Sequence, residues 1–408
     1  MVGRRHRPPR HTGRRVLLIV QNLPVPFDRR VWRESCALRD AGFQVSVVCP
    51  KGPGDPSFQE IEGIRVRKYA PPPPAEGALS YAWEFAYCWV RTLTLVLRAA
   101  TSEGFDVIQA CNPPDTYWAL AAPFKLFGKR FVFDQHDLCP EVYNSRFDRP
   151  SAFLLRMLLL LERATYAVAD HVIATNESYR ETAIRRGGVS PERVTVVRTG
   201  PDPDRHTRGL PVPDWRRGKR HLCAYLGVMG PQDGVDLALR AAAAILRTGR
   251  DDVHFVFIGG GDSFDGLVAL ADELGIASSV TFTGRIPDET VFEILSTADV
   301  GLCPDPLNPL NDVSTMNKTM EYMSFRLPVV AFDLKETRVS AGPAAVYVRP
   351  NDVEEYAAAI LRLLDDPERR ASMGEIGRAR VETQLAWRHQ IPHYIGVYES
   401  LTSPRGTS

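Results

Sequence analysis

The strongest constraint on the fold is a regular alternation of short β-branched segments with longer helical patterns. In the first half of the chain this alternation predicts strands at residues 16–20, 44–49, 64–69, 107–110, 130–134, 171–174 and 194–198. Helical patterns lie between them at residues 29–41, 80–101, 115–127, 151–169 and 176–187. Because such alternation is typical of a parallel sheet with helices on both faces, the sequence predicts an α/β fold.

A change of composition near residue 200 predicts a boundary between two domains. Residues 200–218 carry four prolines and many charges without apolar periodicity, which is typical of a linker. The alternation then restarts, with strands predicted at 221–227, 254–259, 280–283, 300–303 and 329–332 and helices at 234–248, 264–275, 288–297 and 315–325. We therefore predict Rossmann-like domains at 16–203 and 220–385, joined by a linker at 204–219. The length of 408 residues agrees, since one hydrophobic core usually stops growing below that size.

Charge is balanced over the whole chain but concentrated at its start. The 50 basic and 49 acidic residues leave a net charge of +1, so we expect no binding to nucleic acid. Six arginines and no acid occupy the first fifteen residues, which predicts a basic disordered tail at residues 1–15. Two interpretations of this tail stay open: a solvated extension, or a tether to anionic lipid headgroups at about 1 kcal/mol per basic residue.

The distribution of apolar residues and cysteines predicts the compartment. The apolar run at residues 16–20 is too short for a secretory signal, and no apolar stretch reaches the length that spans a bilayer. The seven cysteines are scattered without a CxxC pair, which favours reduced thiols over a zinc site or a disulfide framework. We expect a cytoplasmic protein, at the inner face of the membrane if the tail binds lipid.

Candidate ligand loops lie where predicted strands end, because ligands of doubly wound sheets bind beyond the carboxyl ends of the strands. Gly227 and Gly230 follow the first strand of the second domain, where a diphosphate could rest on amides at the next helix. Gly260 lies in a run of three glycines after the next strand, and glycine lets backbone approach a ligand closely. A plain tight turn is the alternative for both loops. The loop with three glycines matches neither a Walker loop nor a dinucleotide fingerprint.

The segment 311–323 is the richest in polar residues that suit a nucleotide. Ser314 is a good N-cap, so we predict that a helix with free amides begins there, next to Thr315 and Asn317. Lys318 and Glu321 lie three residues apart and share one face of that helix. The cation suits a phosphate and the carboxylate suits the two ribose hydroxyls. The alternative is a surface ion pair worth well under about 1 kcal/mol.

Polar side chains also follow the strands of the first domain. His136 comes after the strand at 130–134 and could bind a sugar hydroxyl or move a proton, although a lone histidine is more often structural. Other polar residues at this edge are candidates for binding a second substrate, the acceptor. They are Asp28, Arg29, Asn112, Asp115 and Glu141, with Arg30 beside them. For Arg29 and Arg30, solvation of a helix start is at least as good an interpretation.

A set of short motifs gives the chain a resemblance to a known family. The motifs are DRRVWRE at residues 28–34, NPPD at 112–115, FDQHD at 133–137, TNES at 175–178, YLG at 225–227, FTGR at 282–285, MEYM at 320–323 and LPVVA at 327–331. Together they resemble the retaining glycosyltransferases of family 4. That resemblance implies the GT-B fold of two facing Rossmann-like domains, with residues 386–408 forming a crossover helix and tail that packs back on the first domain.

The resemblance implies roles for particular residues. Glu321 matches the second glutamate of the family's paired-glutamate motif, which binds the donor ribose. Gly227 matches the glycine beside the donor phosphates, and Arg285 lies in the loop that touches the nucleobase. His136 matches the histidine near the transferred sugar.

Several positions depart from the family pattern. The first glutamate of the paired motif falls at Val313, next to Asp312. The phosphate-binding arginine falls near Val228 or Met229, and the phosphate-binding lysine falls at Asp233. We expect Lys318 to take over the role of the missing cations. This pattern resembles a subgroup associated with bacterial surface polysaccharides and the transfer of N-acetylated amino sugars, although a catalytically degenerate member is the other interpretation.

The reaction that the resemblance implies is transfer of a sugar from a nucleotide-diphosphate donor to an acceptor hydroxyl with retention of configuration. We expect a UDP-sugar as the donor and a glycan, a lipid-linked molecule or a small molecule as the acceptor. His136, Lys318 and Glu321 are the expected catalytic residues, and no metal or cofactor is implied. A nucleotide-sugar epimerase of the same architecture and a non-catalytic binding protein stay open as alternatives.

Overall fold

The computed structural model describes residues 14–72, 78–147 and 149–403, which form two compact units. Among the described residues, unit 1 comprises those within 14–140, 150–197 and 391–403, and unit 2 comprises those within 141–149 and 198–390. Each unit is built around one sheet, so the predicted α/β class with two parallel Rossmann-like sheets is confirmed. The arginine-rich residues 1–13 lie outside the described residues, and with them the predicted lipid tether.

The strands of unit 1 are β1 (Arg15–Ile19), β2 (Gln44–Pro50), β3 (Phe58–Ile61), β4 (Ile64–Tyr69), β5 (Val107–Cys111), β6 (Arg130–Gln135), β7 (His171–Ala174) and β8 (Val194–Val196). The strands of unit 2 are β9 (His221–Leu226), β10 (Val253–Ile258), β11 (Val280–Gly284), β12 (Val300–Cys303), β13 (Val329–Phe332) and β14 (Ala345–Val348). The predicted strands all form, whereas the sequence missed β3 and β14.

The first seven α-helices are α1 (Arg29–Asp40), α2 (Ala78–Ser102), α3 (Trp118–Lys125), α4 (Cys139–Arg146), α5 (Ala152–Val168), α6 (Glu177–Arg185) and α7 (Val235–Arg247). The others are α8 (Phe264–Glu273), α9 (Asp288–Thr297), α10 (Asn317–Ser324), α11 (Lys335–Ala341), α12 (Val353–Leu364), α13 (Pro367–Arg380) and α14 (Trp387–Thr402). No helix among the described residues is both long and apolar enough to cross a membrane.

Both sheets reverse their strand order beside their first strand. Sheet 1 runs β3-β4-β2-β1-β5-β6-β7-β8 and is parallel except for the β3–β4 hairpin, and sheet 2 runs β11-β10-β9-β12-β13-β14 and is parallel throughout. Within sheet 1, the reversal leaves a crevice between the loop after β1 and the loop after β5. Within sheet 2, it leaves a crevice between the loop after β9 and the loop after β12. Such switch points are where ligands bind in sheets of this kind.

Side chains cover both faces of sheet 2. All six residues of β10 are buried, and five of them are apolar, as expected for a parallel strand covered on both faces. Helix α7 packs an alanine-rich face against one side of the sheet, and α10 packs Met320 and Met323 among the residues that cover the other. Buried strands of this kind hold the loops at their carboxyl ends in fixed positions.

Two residues of the predicted tail belong to the fold. The carbonyl of Arg14 accepts from the amide of Gln44 over 2.9 Å. Arg15 is the first residue of β1, and its amide donates to Asp106 Oδ2 over 3.0 Å. Its guanidinium donates to the carbonyl of Glu103 over 2.8 Å. The first strand therefore begins one residue earlier than predicted, because these contacts anchor its start.

Candidate functional site

A buried ion pair joins α1 to the end of β6 in unit 1. The Nη2 group of Arg30 lies 2.8 Å from Asp134 Oδ1, and both side chains are less than a tenth exposed. Glu34, one helical turn beyond Arg30, places Oε1 3.0 Å from Arg30 Nε. Gln109 on β5 donates to Glu34 Oε2 over 2.7 Å and to Asp134 Oδ2 over 3.0 Å. The cluster therefore ties one helix to two neighbouring strands.

The pKa values of the two acids in this cluster shift in opposite directions. Burial alone would raise the pKa of Asp134, but Arg30 and His136 outweigh it and hold that pKa well below its usual range. For Glu34, burial and then the charge of Asp134 raise the pKa well above its usual range. Asp134 is therefore the acid whose ionised form the cluster stabilises.

His136, one-fifth exposed at the end of β6, is held through one ring nitrogen by two partners. Its Nε2 lies 2.7 Å from Asp134 Oδ2 and accepts from Arg30 Nε over 3.0 Å. These two contacts fix the position of the ring at the carboxyl edge of the sheet.

Asn112 holds the loop that carries His136. Its Oδ1 accepts from the amides of His136 and Asp137 over 2.7 and 3.1 Å. Its Nδ2 donates to the carbonyl of Asp137 over 2.7 Å and to Asp115 Oδ1 over 2.9 Å. Asp115 is itself buried, and burial raises its pKa to about 6. Both residues were predicted to bind an acceptor, and their buried polar contacts also position the loop that carries His136.

The remaining acceptor candidates lie in different surroundings. Asp28 is the N-cap of α1 and accepts from the amide of Val31 over 3.0 Å. Arg29 is exposed, and its neighbour Arg30 is the residue that reaches His136. Glu141 lies half-buried in the first turn of α4, in the segment that belongs to unit 2. The sequence could not decide between the two arginines, because only the direction of α1 determines which one turns inward.

Three side chains of unit 1 offer the geometry of a metal site. Potential ligand atoms of Cys111, Asp134 and His136 lie within 4.8 Å of one another. However, Arg30 already pairs with Asp134, and burial raises the pKa of the Cys111 thiol well above its usual range. A metal ion needs the thiolate and would be repelled by the adjacent guanidinium. These residues, as arranged, do not fit a metal ion.

Close backbone contacts organise the glycine loops of unit 2. The amide of Gly227 donates to the carbonyl of Ile258 over 3.0 Å, and the amide of Met229 donates to that of Gly260 over 3.1 Å. Gly259 has φ of 125°, and a Cβ atom there would overlap the carbonyl oxygen of Gly227. At Gly260 a Cβ atom would meet nothing within 4 Å. Packing thus explains Gly259, whereas Gly260 faces open space.

Lys318 lies at the switch point of sheet 2 with its charge already paired. Its Nζ is 2.7 Å from Asp305 Oδ1 and 4.9 Å from the centre of the Tyr225 ring. Burial would lower the pKa of Lys318, but Asp305 raises it well above its usual range, so the ammonium stays protonated. Burial raises the pKa of nearby Asp233, which accepts from the amide of Gly230 over 2.9 Å. Asp305 therefore neutralises the cation that the sequence assigns to a phosphate.

The start of α10 differs from the prediction. Ser314 is not its N-cap: the hydroxyl donates to the carbonyl of Leu310 over 2.8 Å, which closes a short 3₁₀ turn. The helix begins at Asn317 with Met316 as its N-cap residue. A serine followed by apolar and polar residues can either cap the start of a helix or close a 3₁₀ turn, so the sequence did not distinguish the two.

The other residues predicted around α10 differ in exposure. Asn317 is exposed, and Thr315 and Glu321 are half-buried. Asp312, next to the position of the missing family glutamate, accepts from the amide of Lys335 over 2.9 Å at the start of α11. Glu321 lies on the same helix as buried Lys318 but closer to its surface.

One cation near the glycine loops escaped the sequence analysis. Arg146, at the end of α4, places Nη2 3.8 Å from Asp262 Oδ2 beside the triple glycine. Its charge also acts to lower the pKa of Asp233. No sequence signal links residues so far apart. Arg285, predicted to touch the nucleobase, is exposed after β11.

Comparison with known proteins agrees with this architecture. The family profile described as Glycosyltransferase Family 4 matches residues 28–205, and the profile described as Glycosyl transferases group 1 matches residues 220–366. Sucrose-phosphate synthase of Thermosynechococcus elongatus superposes with a TM-score of 0.76 at 21% identity, covering 95% of this chain and 99% of that one. Anabaena HepE in complex with UDP-glucose superposes with a TM-score of 0.68 at 16% identity, covering 96% and 100%.

The fold is thus that of the GT-B glycosyltransferases. The chain belongs to glycosyltransferase family 4, as its motifs indicated. Alpha-D-kanosaminyltransferase of Streptomyces kanamyceticus is 32% identical over 158 residues, 38% of this chain and 39% of that protein. D-inositol 3-phosphate glycosyltransferase of Gordonia bronchialis is 28% identical over 245 residues, 56% and 52% respectively. The matches therefore span about two fifths to one half of these relatives.

Proposed function

We propose that this protein transfers a sugar from a nucleotide-diphosphate donor, a UDP-sugar, to an acceptor hydroxyl with retention of configuration. Family membership supports the reaction class, and a structural neighbour crystallised with UDP-glucose supports the donor class. The observation that carries the proposal is the placement of Glu321 on α10, beside a buried cation at the switch point of sheet 2. A carboxylate there can accept hydrogen bonds from both ribose hydroxyls.

The bonds balance without a protein nucleophile. A bond forms between the acceptor oxygen and the anomeric carbon, and the bond from that carbon to the diphosphate oxygen breaks. The acceptor proton moves to the departing diphosphate, on the face where both groups lie. Catalysis then depends on holding the reactants and stabilising the leaving diphosphate. As the family implies, the proposal involves no metal ion or cofactor.

We propose that groups other than Lys318 hold the diphosphate. Since Asp305 neutralises Lys318, we assign that lysine to the support of Tyr225 and the adjacent glycine loop. The amides at the start of α10 and the guanidinium of Arg146 then supply positive charge from unit 2. In unit 1, His136 is the candidate for binding a hydroxyl of the transferred sugar or of the acceptor, as the family resemblance implies.

We place this reaction in the assembly of cell-surface glycans or glycolipids on the cytoplasmic side of the membrane. This setting follows from the resemblance to the polysaccharide subgroup and from the charge pattern of the sequence. The acceptor is a glycan, a lipid-linked molecule or a small molecule.

Substitution of Glu321 tests the donor site. Glu321→Ala should raise the dissociation constant for UDP about tenfold or more, because it removes hydrogen bonds to a charged group. Transfer should fall below detection. Glu354→Ala is the matched control, since Glu354 is exposed on another helix of unit 2. Calorimetric titration with UDP measures the binding, and near-normal affinity for UDP in Glu321→Ala would remove the ribose role.

Product analysis without an acceptor separates the proposal from its alternatives. A transferase should leave a UDP-sugar panel unchanged apart from slow hydrolysis, whereas an epimerase would convert the donor alone. Binding of UDP without turnover toward any glycan or lipid acceptor would favour a non-catalytic protein.

A further inference from the structure

The first half of α5 exposes a continuous apolar surface on unit 1. Phe153 is 70% exposed, Leu154 48%, Met157 40% and Leu160 60%. The first buried side chain of this helix is Glu162. Residues 153, 157 and 160 follow helical spacing, so they form one stripe. A surface of this kind on a folded chain marks an interaction site.

The charges on this helix are of one sign at its surface. Arg156 and Arg163 are exposed, whereas the only acid of α5, Glu162, is buried and accepts from Arg186 Nη2 over 2.7 Å. The surface therefore combines apolar side chains with arginines and shows no exposed acid within the helix. That combination complements a lipid bilayer, which has apolar acyl chains beneath negatively charged headgroups.

The position of this surface is set by the topology of unit 1. Two residues separate the end of helix α5 from the start of β7, at the amino end of the sheet, so the exposed first half of this helix lies toward the carboxyl edge that carries His136. Helix α2 begins toward the same edge and exposes Trp83 at 61% and Phe85 at 47%, with Glu84 between them half-buried. Two helices thus present apolar residues near the edge where chemistry is expected.

We propose that the first half of α5 docks on an anionic lipid bilayer, with Phe153, Met157 and Leu160 entering the interface and Arg156 and Arg163 contacting headgroups. Charge complementarity selects this occupant, because a second copy of the same face would place arginines against arginines. The docking needs neither donor nor catalysis, so it stands apart from the proposed function.

Flotation of the full chain with vesicles tests this proposal. The wild-type protein should bind vesicles of phosphatidylcholine with 30 mol% phosphatidylglycerol more tightly than vesicles of phosphatidylcholine alone. The triple variant F153S/M157S/L160S should bind at least about tenfold more weakly. The double variant R156E/R163E should lose about fivefold or more per position on anionic vesicles and little on neutral ones.

A matched control comes from the opposite edge of sheet 1. Leu126 is 87% exposed and Phe127 77% exposed between the end of α3 and the start of β6. The double variant L126S/F127S removes comparable exposed apolar area and should bind vesicles as the wild type does. Circular dichroism and thermal melting of every variant check that the fold is intact.

Three results would overturn the proposal. The wild-type protein could fail to float with anionic vesicles. The triple α5 variant could bind as the wild type does while removal of residues 1–13 abolishes binding, which would assign the contact to the tail. A wild-type dimer that F153S/M157S/L160S converts to a monomer in size-exclusion chromatography would show that a second copy covers this face.

Discussion

In unit 1 the carboxyl edge of the sheet is organised by charged side chains, whereas in unit 2 close backbone contacts organise much of it. Arg30, Asp134 and Glu34 form the first arrangement, and Gly227 with Gly259 forms the second. Unit 2 does contain an ion pair, Lys318 with Asp305, but it lies beneath the glycine loop. Two sheets that share the same reversal of strand order therefore have carboxyl edges that are organised in two different ways.

The difference has a physical consequence. A buried charge cluster is sensitive to the loss of one partner, because the remaining charge stays buried without compensation. A glycine contact is sensitive to the gain of a methyl group, because the backbones have no space to separate. Unit 1 should therefore lose stability when a charged side chain is truncated, and unit 2 when a methyl group is added to a glycine.

Removal of Arg30 should have the largest effect. Arg30→Met leaves Asp134 ionised and buried, so we expect the free energy of unfolding to fall by about 3–5 kcal/mol. Arg29→Met, at the exposed neighbouring position, should change it by less than about 0.5 kcal/mol. Urea unfolding measures both variants. Equal stabilities would contradict the idea that the charge cluster holds unit 1 together.

The pH dependence of stability should sharpen the picture of unit 1. The pKa of Asp115 is raised to about 6 in the folded chain, above its unfolded value near 4, so the folded state binds the extra proton. The resulting stability is present below about pH 4 and is lost as pH rises to 6, by up to about 3 kcal/mol. Urea unfolding gives the free energy of unfolding of the wild type and of Asp115→Asn at each pH between about 4 and 6. If the two free energies change with pH in the same way, Asp115 does not contribute.

Addition of a methyl group should break the glycine loop of unit 2. Gly259→Ala combines a positive φ with overlap of the Gly227 carbonyl, and we expect a loss of about 2 kcal/mol or more. Gly260→Ala, with open space around its Cβ, should keep the wild-type melting temperature. If Gly260 contacts the donor, Gly260→Ala should weaken UDP binding. An unchanged affinity for UDP would show that Gly260 only serves the turn.

The smallest effect should come from Arg285. Because it is exposed, Arg285→Ala should leave the melting temperature unchanged, while a lost hydrogen bond to the nucleobase should weaken UDP binding about threefold. Arg285→Lys should restore part of that affinity. Identical binding of wild type and both variants would exclude a base contact.

Much of the fold followed from the sequence because strand and helix periodicity is local. The predicted strands of both sheets formed with boundaries within two residues, and β3 and β14 were missed because they are short edge strands with mixed exposure. The site was less predictable, because it depends on partners that are distant in the chain. Asp305 was not anticipated as the partner of Lys318, nor Arg146 as a cation near the glycine loops.

Ser314 and Arg30 show two further limits of the sequence. A capping serine and a turn serine have the same local pattern, and only the course of the chain after Leu310 distinguishes them. Arg29 and Arg30 are chemically identical neighbours, and the rotation of α1 alone determines which one is buried. Helix phase and tertiary partners, rather than residue type, decide both cases.

The C-terminal helix gives unit 1 a particular history during synthesis. Tyr394 donates to Gln109 Oε1 in the centre of sheet 1 over 2.7 Å, although the two residues are 285 positions apart. Tyr398 contacts the same oxygen. At about 5–20 residues per second, a ribosome adds those residues in about 15–60 s. The side-chain oxygen of Gln109, in the middle of sheet 1, therefore lacks its two tyrosine donors until nearly the whole chain has been translated.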